Sequence, residues 1–105
     1  IDKLTQSLKF GMNFETRQAV YGSILNRATS GGKVRESVEL KDVTEQIRSE
    51  PEFSQYSSRK VGTIVREIGF AVIKYKGEMR VVIGDEEKLV NIGHELGVED
   101  EWLNR

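Results

Sequence analysis

The feature that most limits the fold is a change of hydrophobic period at Gly69. Ahead of it, in SSRKVGTIVREIG, Val61, Ile64, Val65 and Ile68 recur at i, i+3, i+4 and i+7, the spacing of one buried helical stripe. Behind it, residues 71–75 and 79–83 are β-rich runs with period 2 around Lys76-Gly77-Glu78, as in the two strands of a hairpin. The glycine is both the stop of the helix and the entry to the first strand, so three consecutive elements are fixed together. A three-residue loop at Lys76-Gly77-Glu78 sorts the hairpin into an apolar face of Ile73, Tyr75, Met79 and Val81, with Lys74 opposite Arg80 on the other face. On that reading Tyr75 is a packing residue.

The same signals divide the rest of the chain. Asn13 is a good helix cap, Phe14, Tyr21, Ile24, Leu25 and Ala28 share a helical face after it, and Gly31-Gly32 stops the pattern. Val38 suggests a brief strand, and Leu40, Val43 and Ile47 a short second helix that ends before Pro51. Phe53 and Tyr56 belong to a turn whose aromatics tuck under the helices. Ser57 or Ser58 caps the third helix, and Asp85 caps a last one with the stripe Leu89, Ile92, Leu96 and a stop at Gly97. Leu4 and Leu8 allow a short helix over 2–9, but Gly11 and its polar neighbours make 1–12 an arm. The division is an N-terminal arm over 1–12, one domain over 13–97 and an acidic tail over 98–105. The fold class is mainly α with a small β-hairpin, α+β.

With 105 residues, 37% of them hydrophobic, the chain suits a single modest core. No stretch approaches the roughly 20 apolar residues of a membrane span, and the N-terminus lacks the apolar block of a signal peptide, so the expected location is intracellular: cytoplasmic, associated with the nucleoid. A chain with no cysteine and one histidine has no disulfide, thiolate nucleophile or histidine cluster, and neither metal nor other cofactor is expected. His94 has no recognisable partner for acid–base work, and Gly31-Gly32 is not followed by the residues of a phosphate loop, so the chain does not read as an enzyme. It opens on Ile1 rather than Met, which reads as a fragment of a longer protein or a processed one.

The net charge of −1 hides a segregation. Residues 1–56 are balanced. Residues 57–80 carry Arg59, Lys60, Arg66, Lys74, Lys76 and Arg80 against only Glu67 and Glu78, and the final 25 residues are strongly acidic. Positive charge therefore gathers on the outer face of the third helix and along the hairpin.

The order helix, short strand, helix, turn, basic helix, hairpin, helix resembles the winged helix-turn-helix superfamily of prokaryotic and archaeal type, over roughly residues 13–96. The residues that carry it are the string Leu40 to Ile47, SSRKVGTIVREIGF from Ser57 to Phe70, and the wing-like AVIKYKGEMRVVI from Ala71 to Ile83. The resemblance implies a third helix (57–69) that enters the DNA major groove and a wing (71–83) that touches the adjacent backbone or minor groove.

Elementary dimensions agree with that implication. A helix about 10 to 12 Å across fits a groove of roughly 12 Å. Ser57, Ser58 and Lys60, with the first backbone amides of the helix, suit phosphates; Arg59, Thr63 and Arg66 are placed to read bases; Lys74, Lys76 and Arg80 extend the footprint, and Gly77 permits close backbone approach. The expected partner is double-stranded DNA, in transcriptional regulation or DNA replication, with a homodimer or a larger parent assembly as the further association. The rival is a protein-interaction winged helix within such an assembly, suggested by an isoelectric point near 5.9 and the acidic C-terminal quarter. Trp102 and Leu103 either serve a partner or pack back on their own domain.

Overall fold

The computed structural model describes the backbone of residues 2–103 and the side chains of residues 14–103. Four helices and three short strands follow in chain order among them: α1 (Asp2–Thr29), β1 (Ser37–Glu39), α2 (Leu40–Arg48), α3 (Ser58–Ile68), β2 (Ala71–Tyr75), β3 (Glu78–Val82) and α4 (Glu86–Glu95). A 3-10 turn, Pro51–Phe53, lies between α2 and α3. The strands form one antiparallel sheet in the order β1-β3-β2, so the fold class is α+β. None of the described helices is long and apolar enough to cross a membrane.

At Gly69 the chain passes from α3 into β2. Its φ of 118° is left-handed, its N–H donates to the Arg66 carbonyl (3.1 Å), and the Phe70 N–H donates to the Val65 carbonyl (3.2 Å). This pair of bonds satisfies two of the carbonyls that every helix end leaves open, and a residue with a Cβ resists that φ. The stripe of α3 is buried as its spacing predicts: Val61 and Val65 are inaccessible, and Ile64 and Ile68 nearly so. Each such side chain contributes about 1.5–3 kcal/mol when fully removed from water. Gly62 lets α2 approach, for a Cβ there would lie 3.3 Å from a methyl of Leu40.

The hairpin departs from expectation. Its turn has two residues, Lys76 and Gly77, both with positive φ (51° and 82°), and β3 begins at Glu78. Positive φ at both central positions is the tight-turn geometry whose twist matches that of paired strands. The register is therefore Ile73 opposite Arg80, Lys74 opposite Met79 and Tyr75 opposite Glu78, and the faces are not sorted by polarity. What selects this register is the core: Val81 is fully buried and lies between Val38 of β1 and Val72 of β2, a row that one residue of slip would turn outward. Ile73 and Tyr75 consequently face out, 46% and 55% exposed, so Tyr75 is not a packing residue.

At the N-terminal end, α1 begins at Asp2 and runs through Gly11, so Asn13 lies inside the helix and is not its first residue. What Leu4 and Leu8 pack against lies outside the described side chains. Val20, Tyr21, Ile24, Leu25 and Ala28 are buried as one face, whereas Phe14 is 42% exposed. Tyr21 joins the two ends of the domain. Its hydroxyl donates to the Leu89 carbonyl in α4 (2.6 Å) and its ring stacks with Phe70 at 6.3 Å. Gly93 provides the room: a Cβ there would sit 2.5 Å from the Tyr21 oxygen and 2.8 Å from Leu103. Leu103 is buried in the same core and Trp102 half-buried against it, so the acidic tail packs back on the domain as far as Leu103.

Gly93→Ala is accordingly expected to destabilise by about 1–3 kcal/mol in urea unfolding. Gly22→Ala, in an α1 position where a Cβ meets nothing within 4 Å, should stabilise by about 0.5–1 kcal/mol. Burial, and secondarily the Asp100 carboxylate, push the Tyr21 hydroxyl up to about 12 from 10.0. Between these values the unfolded chain releases the proton and the folded one keeps it, so stability falls as pH rises from 10 to 12, on the order of 2–3 kcal/mol. Tyr21→Phe should remove that part of the slope in melts across the same window.

Candidate nucleic-acid interface

Ser57 starts α3 as a true cap: the Lys60 N–H donates to its Oγ (3.2 Å), which leaves the hydroxyl hydrogen for an outside acceptor. The N–H groups of Ser58 and Arg59, in the first turn, have no acceptor within the helix. Arg59, Thr63 and Arg66 then follow at spacings of four and three along the face opposite the buried stripe, and all are exposed. The Thr63 hydroxyl donates to the Arg59 carbonyl (3.1 Å). Among the described residues the guanidinium groups of Arg59 and Arg66 take part in no ion pair, so both extend into solvent with their donors uncommitted.

The two flanks of this face differ. Ser58 and Lys60, about 200° apart around the helix, lie on opposite flanks. On the Ser58 side the hairpin tip closes on α2 and α3 around a cleft of about 300 Å³ lined by Leu40, Lys41, Ser58, Gly77 and Met79, with the carboxylate-bearing Glu39 and Glu78 also in its wall. On the Lys60 side a crevice of about 460 Å³ separates α3 from α1, lined by Arg17, Tyr56, Lys60 and Glu67 among others. The Lys60 amine lies 4.2 Å from the centroid of the Tyr56 ring, which in turn meets Phe53 edge-on at 5.2 Å. The 3-10 turn thus holds Lys60 at the edge of the face.

At the hairpin tip Lys74 and Lys76 are exposed, the amine of Lys76 lying 5.3 Å from the Tyr75 ring centroid. Lys74 shares its sheet face with Met79 and not with Arg80. Arg80 is committed elsewhere: its Nε donates to Ser37 Oγ (2.9 Å), and its guanidinium lies 3.7 Å from Glu39 and 3.8 Å from Glu78. A side-chain hydrogen bond with Glu78, reinforced by repulsion between the two carboxylates, holds the Glu39 carboxyl above the usual range, with Arg80 opposing. Arg80 is therefore a clasp between β1 and β3.

Of the residues picked out by sequence, Ser57, Ser58, Arg59, Lys60, Thr63 and Arg66 lie on or beside one helix face, with Lys74, Lys76 and Gly77 at the hairpin tip next to its start. Arg80 stands apart from them. Two basic residues escaped the sequence reading, Lys41 and Arg17. Lys41 belongs to α2 and gave no signal of its own. Arg17 did give one, because it falls four residues before Tyr21 on the apolar stripe of α1, where a charge needs a reason. Among the described residues no group of three or more His, Cys, Asp or Glu is arranged to hold a metal ion. No family model, no curated protein and no solved structure matches this chain, so its functional reading rests on this geometry.

If Arg80 is a clasp, Arg80→Ala should cost about 1–3 kcal/mol in chemical unfolding and speed amide exchange in β1. Lys74→Ala and Lys76→Ala, on open surface, should stay within about 0.5 kcal/mol of wild type.

Proposed function

We propose that this chain is a winged-helix domain that binds double-stranded DNA, with α3 as the helix in the major groove and the β2–β3 hairpin as the wing. The observation that carries the reading is the outer face of α3: Arg59 and Arg66, with Thr63 between them, present uncommitted guanidinium groups along a helix whose first amides are open. Arginine forks suit guanine edges, while Ser57, Ser58, Lys60 and the hairpin lysines suit phosphates. The domain acts by binding and not by catalysis, in transcriptional regulation or in replication. Arg80 braces the wing against β1 and is not among the proposed DNA contacts.

A second reading, a protein-interaction domain, is favoured by one observation, the outward Ile73 and Tyr75 on the sheet face away from the core. The two readings use different surfaces and can be separated by substitution.

Titration with duplex DNA should show an affinity that falls steeply with salt, as counterions are released from phosphates. Lys76→Ala should weaken binding about equally on all sequences and reduce the log–log slope by about 1. Arg59→Ala or Arg66→Ala should cost about 1–3 kcal/mol on a preferred sequence and less on random DNA. A folded variant with Arg59, Lys60 and Arg66 all replaced by alanine that binds as wild type does would transfer the lead to the interaction reading.

A further inference from the structure

The crevice between α1 and α3 holds a cationic group whose bonding is incomplete. Arg17 reaches Glu67 through a single contact, Nη2 to Oε2 at 3.3 Å, with side chains 32% and 50% exposed. Its Nε is buried and has no hydrogen-bond partner. A guanidinium offers five N–H donors in a planar fork, and a one-point contact to a carboxylate leaves the Nε side of that fork unanswered. Buried donors are nearly always satisfied, so an unanswered one on a side chain that lines a crevice points to a missing acceptor. The Lys60 amine, over the Tyr56 ring, supplies a second positive charge to the same crevice.

We propose that this crevice is a phosphodiester pocket, in which a backbone phosphate of a bound duplex displaces Glu67 and takes the Nε and Nη donors of Arg17 together with the Lys60 amine. The proposal rests on the reading of α3 as the helix in the groove. A helix seated in a major groove has a phosphate strand along each of its flanks, since the groove is barely wider than the helix. On the Ser58 flank those phosphates meet the hairpin tip. On the other flank they meet the crevice, and Thr63 and Glu67 mark its edge one and two turns along from Arg59. Glu67 acts as an internal placeholder: a half-exposed ion pair is weak and easily exchanged, and it keeps Arg17 oriented while no DNA is present. A phosphate offers oxygens that answer both sides of the fork, which the single carboxylate contact does not.

The test measures random-sequence duplex binding at several salt concentrations for wild type, Arg17→Gln, Glu67→Gln and the double variant, with unfolding curves to establish that each is folded. Arg17→Gln should lower affinity by about 3- to 10-fold on all sequences and reduce the salt slope by about 1. Glu67→Gln should raise affinity several-fold, and that gain should vanish in the double variant, because it acts through Arg17. In the wild-type protein the Arg17 Nε–H resonance should shift on addition of duplex, a readout that needs no variant to fold. An unchanged slope in Arg17→Gln, a Glu67→Gln gain that survives in the double variant, or a static Nε–H resonance overturns the pocket. If these appear while the Arg59, Lys60, Arg66 triple variant loses binding, the pocket alone falls; if wild type binds no duplex at low salt, the pocket and the reading of α3 fall together.

Discussion

The turn at Gly69 sets the relation between the two basic elements of this molecule. Its left-handed backbone closes the end of α3 with two hydrogen bonds and sends the chain directly into β2, with no loop to absorb error. The direction of the hairpin relative to α3 is therefore fixed by backbone geometry and then held by packing, since Phe70 is buried against Tyr21 and Val72 continues the valine row with Val81 and Val38. A side chain at Gly69 would be strained at this φ, and in the observed backbone its Cβ would meet Ile92 of α4 at 3.3 Å. The constraint is thus shared by α3, the sheet and α4.

From this constraint follows a division of charge by bonding state. The basic groups divide into those committed to holding elements together and those left open. Arg80 clasps β1 to β3, and Lys60 lies on an aromatic ring, whereas Arg59, Arg66 and Lys74 lie in the open. Net charge says little about such a molecule, because −1 gives no long-range attraction to a polyanion, whereas a local row of uncommitted guanidinium groups acts at contact. Arg17 is the intermediate case, paired through one donor and unsatisfied at another.

Most of the element order was legible in sequence, and the misreadings have definite causes. The third helix, its serine cap and its Gly69 stop follow from local chemistry that tertiary contacts reinforce, with the structure choosing Ser57 over Ser58 as the cap. The hairpin turn was misread because a three-residue loop grouped Ile73, Tyr75, Met79 and Val81 on one apolar face, whereas the two-residue turn that forms, with Lys76 at positive φ, leaves Ile73 and Tyr75 exposed. The deciding partner, β1, is distant in sequence and only three residues long, and it is Val38 that requires Val81 to face inward. Asn13 was read as a cap from its residue type, yet α1 passes straight through it. At the site, the face of α3 was evident from spacing; Arg17 stood out as a charge on the apolar stripe of α1, but its meeting with Glu67 depends on which flank of α3 meets α1.

The central claim, that the outer face of α3 receives a DNA duplex, is tested most directly by mapping backbone amide shifts of the isotope-labelled protein during titration with a short duplex. The account predicts that the largest changes fall on residues 57–67 and on 74–77, with α4 and the outward sheet residues Ile73 and Arg80 little affected. Changes confined to α4, or centred on the outer sheet face with α3 silent, would contradict it.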